Sequence, residues 1–114
     1  IAMEGGHDPD CRRCMPWQEL DSEENRQRIA EMKKLISLRK QEPSFKSLYF
    51  HFPGNYQEKR CVEYIKLDEQ NQKTEVLLNC SEDSIKVEEQ GEILFARGYM
   101  NGSLAKNGTL IRRI

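Results

Sequence analysis

Cys61-Val62-Glu63-Tyr64-Ile65-Lys66-Leu67 is the stretch on which the fold class turns. It is a short run rich in β-branched and aromatic side chains, which pack well on a pleated surface, and it reads as a strand from Arg60 to Leu67. Turn-forming residues bracket it, Pro53-Gly54-Asn55 before and Asp68-Glu69-Gln70-Asn71-Gln72 after. Runs of the same kind lie on both sides: Ser44 to Phe52, Glu75 to Cys80, Ser84 to Glu88, Ile93 to Ala96 and Thr109 to Arg113. The turn formers Ser81-Glu82-Asp83, Gln90-Gly91, Asn101-Gly102-Ser103 and Asn107-Gly108 separate them. Short strands repeating at about eight to twelve residues predict an antiparallel sandwich or barrel. In that context Tyr49, Phe50 and Phe52 read as packing residues in preference to a ligand platform.

Upstream of the strands the hydrophobic period changes. Ile29, Met32, Leu35 and Ile36, with Leu38, recur at helical spacing and form one apolar stripe. Asp21-Ser22-Glu23-Glu24 offers a capping pattern, with Asp21 accepting from backbone amides and Glu24 reaching back. Lys33, Lys34, Arg39 and Lys40 gather at the other end, as the helix dipole favours. Pro43 ends the pattern, so the spacing predicts a helix over roughly 22–41. An apolar stripe needs cover, and the sheet offers an apolar face, so helix and sheet are expected to share a core.

Eighteen basic residues stand against nineteen acidic ones, interspersed along the chain. That balance steers the protein neither to nucleic acid nor to an anionic membrane. No apolar run is long enough to span a bilayer. The four cysteines are expected to be reduced, as in a cytoplasmic protein, because Cys61 and Cys80 sit in strand-like runs and the chain is not a loop-dense disulfide scaffold. Asn101-Gly102-Ser103 and Asn107-Gly108-Thr109 both match the glycosylation tripeptide, and turn chemistry accounts for both.

One stretch has residue types that a fold alone does not explain. Gly5-Gly6-His7-Asp8-Pro9-Asp10-Cys11-Arg12-Arg13-Cys14-Met15-Pro16-Trp17 carries two glycines and two prolines, which read as a shaped loop, and polar groups suited to a hydroxyl-rich ligand. Together with Ile1-Ala2-Met3-Glu4 it resembles the segment after the seventh barrel strand in the α-amylase family, glycoside hydrolase family 13. The resemblance is strongest to the neopullulanase, cyclomaltodextrinase, maltogenic amylase and α-glucosidase branch, where an Asp-Pro-x-Cys-Arg-x-Cys-Met loop opens in the same way. A helix and a β-rich tail then follow, as they do in that family.

The resemblance implies that residues 1–43 are the end of a (β/α)8 catalytic barrel, with a substrate loop at 5–17 and the last barrel helix at about 22–41. Residues 44–114 would be the C-terminal antiparallel β-sandwich. A barrel needs roughly 250 residues, so the chain would be the C-terminal part of a longer enzyme, consistent with a start in mid-motif at Ile1. The parent would hydrolyse α-1,4 glucosidic bonds with retention, with α-1,6 bonds as a further candidate, in maltodextrins, cyclodextrins or pullulan. Asp8 and Arg12 match the family's sugar-binding Asp-Pro-x-x-Arg spacing, a carboxylate to accept from hydroxyls and a guanidinium to donate. On residue chemistry alone the same two form a surface ion pair.

His7, Asp10 and Trp17 are candidate further contacts, with solvated loop residues and a buried loop anchor as their plainer readings. His7 departs from the Asn, Pro or Gly often found at its position in the family. No catalytic residue is expected here, because the family's catalytic carboxylates lie on earlier barrel strands. The acids after position 18 read as solvated. No cofactor is implied, neither calcium nor zinc, and the exposed helix face invites self-association. The rival reading is a free-standing β-rich binding or assembly module whose N-terminal arm holds zinc through Cys11, Cys14 and His7.

Overall fold

Ser22, one residue past the expected cap, starts the helix: its Oγ accepts from the Asn25 amide at 3.3 Å and its carbonyl from the Arg26 amide at 2.9 Å. Helix α1 then runs Glu23–Gln41, close to the span that the apolar spacing predicts. Glu24 does not reach back as a capping box requires; it pairs with Arg28 one turn on, at 2.5 Å. Asn25, the one buried residue of α1, donates through Nδ2 to the Glu19 carbonyl at 2.9 Å. That bond ties the 3₁₀ turn Trp17–Asp21 to the first turn of the helix. The computed structural model describes residues 2–56 and 59–114, so Ile1, which opens the family-like segment, lies outside the described residues. Two compact units are present, Ile1–Ile36 and Ser37–Ile114.

Among the described residues the second unit contains six strands: β1 Phe50–His51, β2 Cys61–Leu67, β3 Lys73–Asn79, β4 Ile85–Lys86, β5 Glu92–Met100 and β6 Ser103–Arg113. All pairings are antiparallel, in the order β1-β2-β3-β6-β4, with β5 also on β6. The sheet is open, consistent with the expected sandwich, and does not close into a barrel.

Alternation assigns the faces. Cys61, Glu63 and Ile65 point one way and are buried, while Val62 between them is exposed. The register carries that face across the sheet, pairing Glu63 with Leu77 and Leu77 with Leu110. Cys61, Leu77, Leu110, Leu104, Ile85 and Val87 form the core, with Tyr56 and Tyr99 packed against it. Met32 and Ile36 of the helix stripe are exposed.

Two glycine positions shape the sheet. Asn101 and Gly102 both take positive φ, 48° and 71°, and Met100 pairs with Ser103, so the expected turn forms as a two-residue hairpin connection. Asn107-Gly108, expected to be a second turn, lies inside β6. Asn107 takes φ 58°, and the register jumps from Arg97 opposite Thr109 to Tyr99 opposite Leu104. Asn-Gly suits the left-handed region in a bulge as well as in a turn, and the extra residues bend β6. Its first residues thus pair with β4 and its last ones with β3.

The strand expected over 44–52 is mostly absent, and only Phe50–His51 pairs. Pro43 fixes the first position of a 3₁₀ turn, Pro43–Lys46, and the buried Ser44 hydroxyl bonds to Thr74 at 2.8 Å on β3. The acids expected in solvent are also partly buried: Glu42, Glu63, Asp68 and Glu75 all lie inside. Each meets donors. Glu63 accepts from the backbone and side-chain nitrogens of Asn55, both at 2.9 Å. Glu42 pairs with Arg113 at 2.7 Å, and Glu75 forms an ion pair with Arg112.

Candidate functional site

In the loop ahead of the helix, Pro9 starts a turn that closes with the Arg12 amide donating to the Pro9 carbonyl at 2.9 Å. The Asp8–Pro9 peptide is cis. This turn brings the Arg12 guanidinium back over Asp8. Nε lies 2.6 Å from Oδ1 and one terminal nitrogen donates to Oδ2 at 2.9 Å, a two-point fork. The Cys11 thiol also approaches Asp8 Oδ1, at 3.8 Å.

Both side chains remain in water, Arg12 75% and Asp8 60% exposed. A pair so exposed contributes roughly 0–1 kcal/mol to stability, so the fold does not depend on it. Chemically it presents spare N–H donors beside a carboxylate whose remaining lone pairs face outward, which is what adjacent sugar hydroxyls require.

The other loop residues are not drawn into this pair. Asp10 accepts from Arg13 Nε through its backbone carbonyl, at 3.2 Å, which leaves its carboxylate free of that contact. Arg13 lies 3.6 Å from Glu4. His7 is exposed, and Trp17 is 71% exposed where a buried anchor was the plainer expectation. Cys11 and Cys14 are free thiols at the surface. Among the described residues, no group of three or more His, Cys, Asp or Glu side chains comes together to hold a metal. The zinc-arm reading therefore lacks a ligand set there. No described helix is long and apolar enough to cross a membrane.

What residue types alone missed lies in the second unit. Tyr49, Phe50 and Phe52, expected to pack, are exposed, as is Leu48. The rings of Phe50 and Phe52 meet edge to face at 5.6 Å, and those of Phe52 and Tyr64 at 6.4 Å. The same residue types serve a packed strand and an exposed edge, so the run itself carried no signal that separates the two.

Comparison with known proteins gives partial homology to glycoside hydrolase family 13 enzymes. The chain is similar to a maltogenic α-amylase from Bacillus acidopullulyticus, 34% identical over 89 residues that cover 75% of this chain and 14% of that protein. It is similar to a cyclomaltodextrinase from Thermoanaerobacter pseudethanolicus, 32% identical over 111 residues that cover 83% of this chain and 19% of the relative. The chain thus spans less than a fifth of the length of these relatives. In fold it resembles part of a provisionally assigned α-amylase from Salmonella typhimurium, with a TM-score of 0.67 at 19% identity, covering 85% of this chain and 17% of that structure. No family model matches the chain.

Proposed function

We propose that the chain is the C-terminal part of a retaining α-glucan hydrolase of the α-amylase family, and that Asp8 and Arg12 line a sugar subsite in it. The observation that carries this reading is the two-point Asp8–Arg12 fork, held open to solvent on a closed turn. Partial homology to a maltogenic α-amylase and a cyclomaltodextrinase supports it. In the full enzyme the Asp8 carboxylate accepts from one sugar hydroxyl while Arg12 donates to its neighbour, which orients the ring toward the scissile bond. His7, Asp10 and Trp17 stand on the same loop as further contacts. Helix α1 serves as the last barrel helix, and residues 44–114 as the C-terminal β domain, in a cytoplasmic enzyme that cleaves α-1,4 bonds and, as a second candidate, α-1,6 bonds.

Retention requires a nucleophilic carboxylate and an acid/base partner flanking the bond. This reading places both on barrel strands outside this chain, so the chain alone does not turn over and, with only one wall of a subsite in Asp8 and Arg12, has little sugar affinity. Incubated with maltodextrin, cyclodextrin or pullulan, the 114-residue chain releases no glucose or maltose, whereas the longer protein encoded with its upstream sequence does. Turnover by the short chain, or none by the long one, overturns the assignment. In the longer protein Asp8→Ala lowers kcat/KM by about 10- to 100-fold, the loss of hydrogen bonds to a charged group.

A further inference from the structure

Glu63 on β2 and Glu75 on β3 are two interior acids that the sugar chemistry does not use. The register pairs Glu63 with Leu77 and Ile65 with Glu75, so the two acids are diagonal neighbours on adjacent strands and point to the same side. Both are buried, 4% and 3% exposed. Their carboxyls come within hydrogen-bonding reach of each other. Two carboxylates offer only acceptors, so a bond between them requires that one carry a proton.

The charges around the pair call for that proton. Arg112, opposite Glu75 on β6, brings one positive charge and donates through Nε to Glu75 Oε2. Glu63 takes the Asn55 amide on Oε2 and the Asn55 side-chain nitrogen on Oε1. The other groups that the described residues set beside them are a thiol, a hydroxyl and a carbonyl. Burial pushes the Cys61 thiol up to about 11, the Tyr56 hydroxyl accepts from the Glu88 amide at 3.4 Å, and the Glu88 carbonyl accepts from Arg112. The Glu88 side chain is exposed. Two acids against one guanidinium leave an unmatched interior charge unless one proton stays.

We propose that Glu63, Glu75 and Arg112 form a one-proton switch that latches the turn at Asn55. With the proton between the carboxyls, Glu75 bridges the guanidinium to Glu63, and Glu63 holds Asn55. When the proton leaves to water, the two carboxylates repel and Arg112 matches only one of them. Glu75 is retained by Arg112, which is itself fastened to the Glu88 carbonyl, whereas Glu63 is held by the exposed Asn55. Glu63 therefore gives way toward water, and Asn55 lets go. The closed form binds the proton more tightly than the open one, so the latch is firm below 4.5 and weakens as pH rises through the raised value of the closed form.

Carbon-13 NMR of the glutamate carboxyls in the labelled 114-residue chain, with amide exchange at Asn55 corrected for its intrinsic pH dependence, tests the switch. One titration step should be seen at both Glu63 and Glu75. Asn55 protection should fall about tenfold per pH unit from 4.5 until that step is complete, the slope that one linked proton sets. Glu75→Gln keeps a donor toward Glu63 and an acceptor toward Arg112 at every pH, so its Asn55 protection should stay flat. Carboxyls that titrate without sensing each other, a flat Asn55 protection in the native chain, or an unchanged slope in Glu75→Gln overturns the proposal. The first two are read on the native chain, so they decide the matter even if Glu75→Gln does not fold.

Discussion

Glu75 and Arg112 meet across β3 and β6 as an ion pair almost wholly removed from water, with side chains 3% and 1% exposed. The guanidinium also donates to the Glu88 carbonyl, while its second terminal nitrogen has no partner among the described residues. Such a pair balances a large desolvation cost against a large attraction, so removing one member is far more damaging than removing both.

Arg112→Met leaves Glu75 buried and unpaired, and is expected to destabilise the chain by roughly 3–5 kcal/mol. The double change Glu75→Leu with Arg112→Met should recover most of that loss. Urea unfolding of the two variants is the measurement, and a double variant no more stable than the single one contradicts the account.

Burial pushes the Glu75 carboxyl above its ordinary value of 4.5, against the pull of the Arg112 hydrogen bond and charge, and the neighbouring Glu63 carboxyl pushes it further. A raised value means that the folded protein binds this proton more tightly than the unfolded chain. The contribution therefore favours folding fully below 4.5 and is lost as pH rises through the raised folded value. Measured against Glu75→Gln, the native chain should gain relative stability on acidification over that interval. A difference flat with pH argues against it.

Asn79 is a buried polar junction. Its Nδ2 lies within hydrogen-bond reach of the carbonyls of Asp83, Leu104 and Ala105, at 2.8 to 3.0 Å, and its Oδ1 accepts from the Ser81 amide and hydroxyl. Asn79→Ala strands these groups and is expected to cost roughly 2–4 kcal/mol. Asn101→Ala, at an exposed turn, should cost less in the same denaturation series.

Burial raises the Cys61 thiol to about 11, and the Glu63 charge adds to the effect. Iodoacetamide at pH 8 should therefore leave Cys61 intact in the folded chain and modify it only after unfolding. Cys11, Cys14 and Cys80, all exposed free thiols, should be modified without unfolding. Mass spectrometry of the digested protein reads the order directly.

Much of the architecture was legible before any coordinates. The helix over about 22–41 followed from its apolar spacing, and β2 from its β-branched and aromatic residues. The Asn101-Gly102 turn followed from the need for two positive φ angles in succession. Other readings went astray where local chemistry allowed two outcomes. Asn107-Gly108 served a bulge, Ser22 took the capping role offered to Asp21, and a 3₁₀ turn, Pro43–Lys46, formed where a strand was expected to begin. In the loop, the four-residue spacing of Asp8 and Arg12 was visible, but the fork that joins them depends on the turn at Pro9.

The sequence by itself determined helix α1 and strand β2, because those choices rest on neighbours a few residues apart. Only the tertiary structure decided which charges lie inside and which aromatics lie outside. Glu75 is buried because the sheet sets it opposite Arg112, thirty-seven positions along the chain, and Tyr49 is exposed where the chain enters the edge strand β1. Register and edge position belong to the assembled sheet, and the energy of a buried charge depends on what that assembly places beside it.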